Sequence, residues 1–330
     1  MTNTTTRPPC PIDADPTCAG PAVTARPTLT FLTGVCALLL AATAPVTALA
    51  QAIERVEPPF WYQGFRNTEL QLLFHGEGLA ALRPSVSAAG IEVVRVETGD
   101  SPNYLFVYLD IDPAVEPGDF EITLEGDGTR ISHAYTLRAK NPDPDHARGF
   151  DGADTIYLIT PDRFVNGNPS NDNDPALGDP VDRSELCGRH GGDIAGIRSS
   201  LDYIGDMGFT AIWLNPIVEN RQPVCSYHGY ASTDFYSVDA RYGSNEEYLR
   251  FVEQARARGI GVIMDMITNH VGNEHWWMQD LPTSDWINMI DSPKVTNHIH
   301  ATQQDPYASQ HDLEPVSYTH LTLPTMSTTW

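Results

Sequence analysis

Three short apolar runs constrain the fold of this chain more than any other feature. They occupy residues 155–160 (TIYLIT), 210–214 (TAIWL) and 261–266 (GVIMDM). A continuous apolar run of this length is typical of a strand that is buried on both faces of a sheet. About 50 residues separate each run from the next, so the connections are long enough to hold the helices that parallel strands require.

The connections themselves carry helical patterns. In the first, the apolar residues Ile194, Ile197, Leu201 and Ile204 fall on one face of a helix. In the second, residues 244–247 (SNEE) form a capping box, which predicts a helix that begins there and runs to Arg258. The order strand, helix, strand, helix, strand predicts parallel βαβ units.

Residues 51–140 show a different period, with no helical pattern. Five short alternating runs bounded by turn residues predict strands. These runs are residues 70–72, 91–93, 104–109, 120–124 and 131–137. Strands at this spacing are typical of a β-sandwich of immunoglobulin-like size. A proline-broken acidic segment predicts a linker over residues 141–150, after which the period changes.

Neither end of the chain is expected to belong to these two folded regions. Residues 31–49 carry no charge and lead into an A-x-A sequence, which predicts a signal peptide over residues 1–50 and export to the periplasm or extracellular space. A membrane anchor is the alternative for this stretch, because it is nearly long enough to span a bilayer. Residues 316–330 carry neither charge nor apolar periodicity and resemble a translated library adapter, so the native content is expected to end near Pro315.

Composition excludes some classes of partner. The chain has 20 Lys and Arg against 43 Asp and Glu, a formal net charge of −23. This balance argues against nucleic acid as a partner, because a phosphate backbone requires a basic surface. Beyond residue 50 two cysteines remain, Cys187 and Cys225, and they match no zinc pattern. In an exported chain they can pair in a disulfide or remain free thiols.

The segment after the first apolar run is rich in oxygen donors. Seven of the thirteen residues 162–174 (DRFVNGNPSNDND) are Asp or Asn. Hard oxygen donors at this density suit Ca²⁺, which takes six to eight oxygen ligands. Asx turns in a solvated loop are the alternative explanation, because Asn, Asp, Gly and Pro are also turn formers.

The segments after the second and third runs carry other polar groups. Residues 221–237 (RQPVCSYHGYASTDFYS) combine several aromatic rings with the His228 imidazole, a mixture that can bind sugars or simply pack a loop. Residues 265–270 (DMITNH) end the third run, at the edge of the sheet where parallel α/β enzymes place functional groups. A buried strand with this ending has either a hydrogen-bond network to satisfy or a ligand to hold.

Taken together and in this order, the three segments resemble the α-amylase family of glycoside hydrolases (family 13). The matching motifs are Asp265-x-x-x-Asn269-His270, residues 228–243 and the Asp162-Arg-Phe164 turn. The alternating-strand region, with Trp61, is similar to the N-terminal domain of cyclomaltodextrinases and neopullulanases. The resemblance covers residues 53–314. It implies a multi-domain chain, in which an N-terminal immunoglobulin-like β-sandwich over residues 51–140 precedes an incomplete (β/α)8 TIM barrel of three β/α units over residues 151–315.

The resemblance also implies a calcium site, because the first-turn loop binds calcium in such relatives. The residues that match are Asn166, Asn168, Asn171, Asp172, Gly191 through its carbonyl, and Asp193. Relatives often carry Asp at position 166, so the neutral oxygen of Asn166 is expected to weaken the affinity for Ca²⁺. Asn269 matches a ligand of a second calcium in many α-amylases, but its role here is expected to be structural.

For the sugar, the resemblance implies that Tyr230 stacks on a glucosyl ring, that His228 and His270 bond its hydroxyls, and that Asp265 supports the site from behind. The implied reaction is retaining hydrolysis of α-1,4-glucosidic bonds in cyclodextrins, maltodextrins or pullulan, which needs two carboxyl groups about 5 to 5.5 Å apart. In the family these carboxylates follow later strands. No catalytic residue is therefore expected in this chain, and it is expected to be inactive as it stands.

Two alternatives stay open. A transglycosylase would pass the same covalent intermediate to a sugar hydroxyl instead of water, and a non-catalytic protein would only bind α-glucan. Relatives with this N-terminal domain often dimerise, which implies a homodimer through the sandwich. No stable membrane span is expected after cleavage of the signal peptide.

Overall fold

The structure is a computed structural model that describes residues 52–142, 149–268 and 270–286, and the backbone of residues 312–313. The predicted signal peptide, Asn269 and residues 316–330 lie outside the described residues. No helix in the described part of the chain is long and apolar enough to cross a membrane.

The N-terminal region forms two four-stranded sheets. The first has the order β1, β3, β6, β5 and consists of Arg55–Glu57 (β1), Glu69–His75 (β3), Tyr104–Ile111 (β6) and Ile91–Thr98 (β5). The second has the order β2, β8, β7, β4 and consists of Phe60–Tyr62 (β2), Thr129–Arg138 (β8), Gly118–Gly126 (β7) and Arg83–Val86 (β4). All pairs are antiparallel except β2 with β8.

All five predicted strands are present in these sheets. The strands that the sequence did not indicate, β1, β2 and β4, have only three or four residues each and lie at sheet edges. A short run of this kind shows too few alternations to be recognised, and Pro84 within β4 further weakens its pattern.

Strand β6 is buried on both faces. Leu105, Val107 and Leu109 face the core between the two sheets. The alternate residues, Tyr104, Phe106 and Tyr108, belong to a second cluster on the outer face of the first sheet. That cluster also contains Leu73, Phe235, Val271, Trp277 and Trp286. Residues that follow the sandwich in sequence therefore cover its outer face.

The second region contains a parallel sheet of three strands. Its order is β13, β10, β9, and its elements are Ile156–Ile159 (β9), Ala211–Leu214 (β10) and Gly261–Met264 (β13), with the helices Ile194–Ser199 (α1), Leu201–Asp206 (α2) and Asn245–Arg256 (α3). Two small antiparallel ladders pair Val218–Glu219 (β11) with Asp234–Val238 (β12), and Val271–Gly272 (β14) with Asp312–Leu313 (β15). The predicted βαβ order is confirmed.

One of the two predicted helices is present nearly as predicted, and the other is divided into two. The capping box at Ser244 and Glu247 is present and opens α3, which ends at Arg256 rather than Arg258. The apolar face from Ile194 to Ile204 is divided between α1 and α2 at Ser200. The Ser200 hydroxyl donates to the Gly196 carbonyl four residues earlier at 3.0 Å, a bond that competes with the helical pattern.

The expectation that the parallel strands are buried on both faces was wrong within the described residues. Ile159, Ile212 and Leu214 are buried in the cluster that α1 to α3 cover. On the opposite face Leu158 is 55% exposed and Trp213 is 40% exposed. The helices form a layer on one side only, which an apolar run in the sequence cannot reveal.

Candidate functional site

Asp265 is the centre of a cluster at the carboxyl end of the parallel strands. It directly follows β13, and its carboxylate oxygen Oδ2 accepts hydrogen bonds from Trp213 Nε1 at 3.3 Å and Tyr230 Oη at 3.2 Å. Trp213 pairs in register with Ile263, and strand residues two apart share a face. Trp213 and Asp265 therefore lie on the same face of the sheet.

The segment that carries Tyr230 begins with the 3₁₀ turn Ser226–His228. Gly229 follows it with φ +81°, and a Cβ atom there would lie 2.0 Å from the Pro216 carbonyl oxygen. Only glycine can therefore occupy this position, since any side chain would displace the segment.

Both predicted histidines contact the backbone of Tyr230. The Tyr230 N–H donates to His228 Nδ1 at 3.0 Å, and His270 Nε2 donates to the Tyr230 carbonyl at 2.8 Å. A neutral His228 ring then carries its proton on Nε2, whereas a neutral His270 ring keeps Nδ1 as an acceptor. The structure thus brings His228, Tyr230, Asp265 and His270 together.

Tyr230 remains a hydrogen-bond donor over the physiological range of pH. Burial, followed by the nearby Asp265 carboxylate, raises the pKa of the Tyr230 phenol to about 12. The protonated hydroxyl holds the ring in place against Asp265, so the position of the aromatic face is fixed by a side chain from a different strand.

A fully buried ion pair supports the site from beneath. Arg241 Nη2 lies 2.7 Å from Asp239 Oδ2, and neither side chain is exposed. Arg241 also donates to the Asn220 carbonyl at 2.6 Å, while Asp239 accepts from the Asn220 N–H at 3.1 Å. The pair therefore joins the two ends of the segment that includes Tyr230. Asp239 was part of a recognised motif, but its partner Arg241 was not singled out.

Trp213 is the other site residue that sequence reasoning missed. It lies inside an apolar run, where an aromatic residue suggests core packing. The indole N–H is the one polar donor among the β10 side chains, and this polar group within an apolar run is the signal that could have drawn attention to it.

In the first loop, three of the six predicted calcium ligands, Asn166, Asp172 and Gly191, lie close together, and a fourth, Asn171, has a buried oxygen without a donor. Asn166 Nδ2 donates to Asp172 Oδ1 at 2.6 Å. The buried oxygens Asn166 Oδ1 and Asn171 Oδ1 have no hydrogen-bond partner among the described residues. At Gly191, where φ is +83°, a Cβ atom would lie 2.9 Å from both Asn166 Nδ2 and Asp172 Oδ1. Buried oxygens without donors are costly, and this cradle of oxygens is chemically suited to a hard cation.

The other two predicted ligands have oxygens that are engaged by N–H and O–H donors. Asn168 Oδ1 accepts from Ser170 Oγ at 2.6 Å. Asp193 caps α1, since its Oδ1 accepts from the N–H groups of Gly196 at 2.6 Å and Gly167 at 3.0 Å, and its Oδ2 accepts from the N–H of Asn168 at 2.7 Å. These two residues organise the backbone of the loop.

In the described ranges no group of three or more His, Cys, Asp or Glu side chains is arranged to hold a metal ion. A cation in the first loop would therefore depend on amide and carbonyl oxygens, with Asp172 as the carboxylate nearest to them.

The structure joins Cys187 and Cys225 in a disulfide, with their Cα atoms 4.9 Å apart. Cys187 lies between the first loop and Asp193, and Cys225 immediately precedes the turn that carries His228. The disulfide therefore connects the loop with the calcium-type donors to the segment that carries Tyr230.

Comparison with known proteins identifies both regions. Residues 158–319 match the catalytic domain of α-amylase, and residues 55–141 match the N-terminal domain of cyclomaltodextrinase. A β/α-amylase from Paenibacillus polymyxa is 42% identical over 119 residues, which are 36% of this chain and 10% of that protein. A cyclomaltodextrinase from Thermoanaerobacter pseudethanolicus is 33% identical over 151 residues, which are 43% of this chain and 25% of that protein.

Among solved structures, an α-amylase from Anoxybacillus shares 36% identity with a TM-score of 0.42, over 51% of this chain and 34% of that one. The chain spans between about a tenth and a quarter of the length of the two curated relatives described above. The two domain matches lie in the order expected from the sequence. The chain belongs to the α-amylase family of glycosidases and carries a cyclomaltodextrinase-type N-terminal domain ahead of its catalytic-domain segment.

Proposed function

We propose that this chain is part of a retaining α-glucan hydrolase and that its Tyr230–Asp265 cluster holds one glucosyl unit of the substrate. The observation that carries the proposal is the convergence of Tyr230, Asp265, His228 and His270 at the carboxyl edge of the parallel strands. An aromatic face beside imidazole groups suits a sugar, whose ring has apolar C–H surfaces and polar hydroxyls.

Each residue has a distinct part in this proposal. The Tyr230 ring supplies a flat apolar face, and its hydroxyl is held by Asp265 so that the face does not rotate away. The backbone contacts of His228 and His270 fix the imidazoles beside that ring. Preorganised groups lower the cost of ordering side chains when a ligand binds.

We further propose that this chain binds α-glucan without hydrolysing it. Retaining hydrolysis needs a nucleophilic carboxylate and an acid/base carboxyl group about 5 to 5.5 Å apart, and the family resemblance assigns neither to residues of this chain. Hydrolysis of cyclodextrins, maltodextrins or pullulan is proposed for the parent protein only.

The test is a calorimetric titration of maltoheptaose into the chain and two variants. Tyr230→Ala is expected to raise the Kd about 10-fold, in line with about 1 kcal/mol or more for loss of an aromatic contact. Tyr203→Ala is the matched control, because Tyr203 lies on α2 and is 60% exposed. Absence of any binding by the unmodified chain contradicts the proposal, and release of reducing ends contradicts the expected inactivity.

We also propose that the first loop binds Ca²⁺ through Asn166, Asn171, Asp172 and the Gly191 carbonyl. The two buried amide oxygens without donors support this proposal. A bound Ca²⁺ would supply positive charge to the Asp172 carboxylate and partners for these oxygens. In its absence, the Asn166 to Asp172 hydrogen bond holds the loop together.

Export and a homodimer through the sandwich are two further proposals. The Cys187–Cys225 disulfide supports export, because disulfides persist in oxidising compartments. Cell fractionation of the expressed chain tests export, and light scattering tests the dimer. Recovery of the chain only from the cytoplasm, or only as a monomer, contradicts the respective proposal.

A further inference from the structure

We propose that the Cys187–Cys225 disulfide and Arg163 position the Tyr230 segment, so that the affinity of the sugar site depends on this disulfide. The inference rests on the proposed function, since it concerns control of the same site. It assigns positioning roles to residues that do not belong to the Tyr230–Asp265 cluster.

The disulfide is attached directly before the turn that leads to Tyr230. Cys225 is the residue before the turn Ser226–His228, and its backbone has φ +60°. Residues other than glycine seldom adopt this left-handed conformation, because the side chain crowds the backbone. A covalent link at this position therefore holds the start of the turn in a conformation that the free chain disfavours.

Arg163 makes a second, non-covalent link between the two segments that the disulfide joins. Its Nη1 donates to the Gly188 carbonyl at 2.7 Å, next to Cys187. Its guanidinium carbon lies 4.0 Å from the centre of the Tyr227 ring, two residues after Cys225. Arg163 thus contacts neighbours of both cysteines. Its Nη1 also lies 3.1 Å from the Asp162 carboxylate oxygen Oδ2, an ion pair that restrains the guanidinium group.

Other contacts between the two segments are buried. Arg189 is fully buried, and its Nη1 donates to Ser226 Oγ at 3.2 Å. The Ser226 N–H donates to Asp179 Oδ2 at 2.7 Å. By contrast, Cys187 and Cys225 are themselves partly exposed, and the neighbouring Leu186 and Val224 side chains are 97% and 55% exposed. A reductant can therefore reach the disulfide while the buried contacts keep the two segments near each other.

The turn is connected directly to the proposed sugar site. His228 ends the turn, and its ring accepts the Tyr230 N–H. When the disulfide opens, the turn loses its fixed start, and His228 and Tyr230 sample more positions. Glucan binding must then order these side chains, which weakens affinity.

The experiment compares maltoheptaose affinity before and after reduction. It uses the full chain with Cys10→Ser, Cys18→Ser and Cys36→Ser, so that only the disulfide under test can respond. Dithiothreitol supplies two electrons and two protons, which convert the disulfide into two thiols while the reagent closes to its cyclic disulfide. The Kd is expected to rise about 10-fold, the scale of ordering one or two side chains, and to recover after reoxidation with oxidised glutathione.

Two variants keep the test decisive. Cys187→Ser with Cys225→Ser is expected to bind as weakly as the reduced chain and not to respond to dithiothreitol. In the oxidised chain, Arg163→Ala is expected to raise the Kd, whereas Arg250→Ala, which removes an exposed arginine of α3, is not. Circular dichroism monitors the fold. If reduction unfolds the chain, the Kd of the oxidised Arg163→Ala variant becomes the measurement that tests the positioning of the Tyr230 segment.

The outcomes separate the inference from the proposed function. An equal Kd for oxidised and reduced chain, or an unchanged Kd in Arg163→Ala, overturns the inference and leaves glucan binding intact. Absence of binding in the oxidised unmodified chain overturns the proposed function itself.

Discussion

At the scale of single residues, Asn166 has two opposed effects on the first loop. Its amide N–H₂ donates to Asp172, and its oxygen has no partner among the described residues. The substitution Asn166→Asp would place two carboxylates within 2.6 Å of each other. Without a cation they repel each other, but together they would bind Ca²⁺ more tightly.

Asn166→Asp is therefore expected to lower the Tm in EDTA and to raise the affinity for Ca²⁺ about 10-fold, because ligand charge sets calcium affinity. Thermal unfolding over a calcium titration measures both effects. Asp206→Asn, an exposed change at the end of α2, is the control and should alter neither. If the Tm of both the unmodified chain and Asn166→Asp stays unchanged when calcium is added, the calcium proposal is wrong.

Glu57 is a second residue whose surroundings determine its ionisation. Its side chain is 12% exposed, and Asp234 lies near it, with Arg55 between them. Burial, followed by the Asp234 carboxylate, raises the pKa of Glu57 from 4.5 to about 8, against the opposing effect of Arg55. The fold therefore favours the protonated form.

This shift predicts that stability falls as pH rises. The contribution of neutral Glu57 is fully present below pH 4.5 and is lost as pH rises through about 8. Glu57→Gln should flatten this dependence and raise the unfolding free energy at pH 8 by about 1 kcal/mol or more. Denaturant unfolding across this pH range tests it, with the exposed Glu92→Gln as control. Parallel pH profiles for the unmodified chain and Glu57→Gln would refute the prediction.

The sequence could predict that the first loop is rich in Asp and Asn, but not which of their oxygens accept hydrogen bonds from the loop itself. Asn168 and Asp193 accept hydrogen bonds as turn and cap residues do, while Asn166 and Asn171 leave buried oxygens without donors. Which oxygen meets which N–H depends on the folded backbone. The turn-loop interpretation therefore describes Asn168 and Asp193, while the cation-loop interpretation stays a prediction for Asn166 and Asn171.

At the scale of elements, α3 is the clearest case of local control. The Ser244 hydroxyl accepts from the Glu247 N–H at 3.2 Å, and Glu247 accepts from the Ser244 N–H at 3.1 Å. Both bonds lie within four residues, so the sequence alone could predict the start of this helix. The helix break at Ser200 depends on a side-chain hydrogen bond, and the exposure of Trp213 depends on which face of the sheet the helices cover. The apolar periodicity of the sequence predicts neither.

Ser244→Ala should lower the unfolding free energy by about 1 kcal/mol, because the Glu247 N–H at the helix start loses its side-chain acceptor. Chemical denaturation measures the change. Ser199→Ala is the matched control, since the Ser199 hydroxyl only donates to the Gly196 carbonyl within α1. Equal effects of the two substitutions would show that the capping box does not stabilise the chain.

At the scale of the whole molecule, the two regions share an apolar cluster. Tyr104 and Phe106 on the sandwich pack with Trp277 and Trp286 from the second region. Arg55 Nη1 also contacts Asp234 Oδ2 at 3.1 Å across this junction. The sequence predicted both regions, but it gave no sign of their contact, because the aromatic residues involved are far apart along the chain.

Separating the regions should affect them unequally. Residues 51–142 keep the core between their two sheets and are expected to unfold cooperatively, while exposing Tyr104 and Phe106 to a hydrophobic dye. Residues 147–330 lose that cover and retain exposed Leu158 and Trp213, so they are expected to aggregate. Calorimetry and light scattering test both pieces. A soluble monomer of residues 147–330 with a cooperative transition contradicts this expectation.

A crystal structure of the chain with maltoheptaose would show directly where an α-glucan binds. We expect a glucosyl ring to stack on Tyr230, with its hydroxyls within hydrogen-bond distance of His228 and His270. Electron density for the sugar at another site, with the Tyr230 ring uncovered, would contradict it.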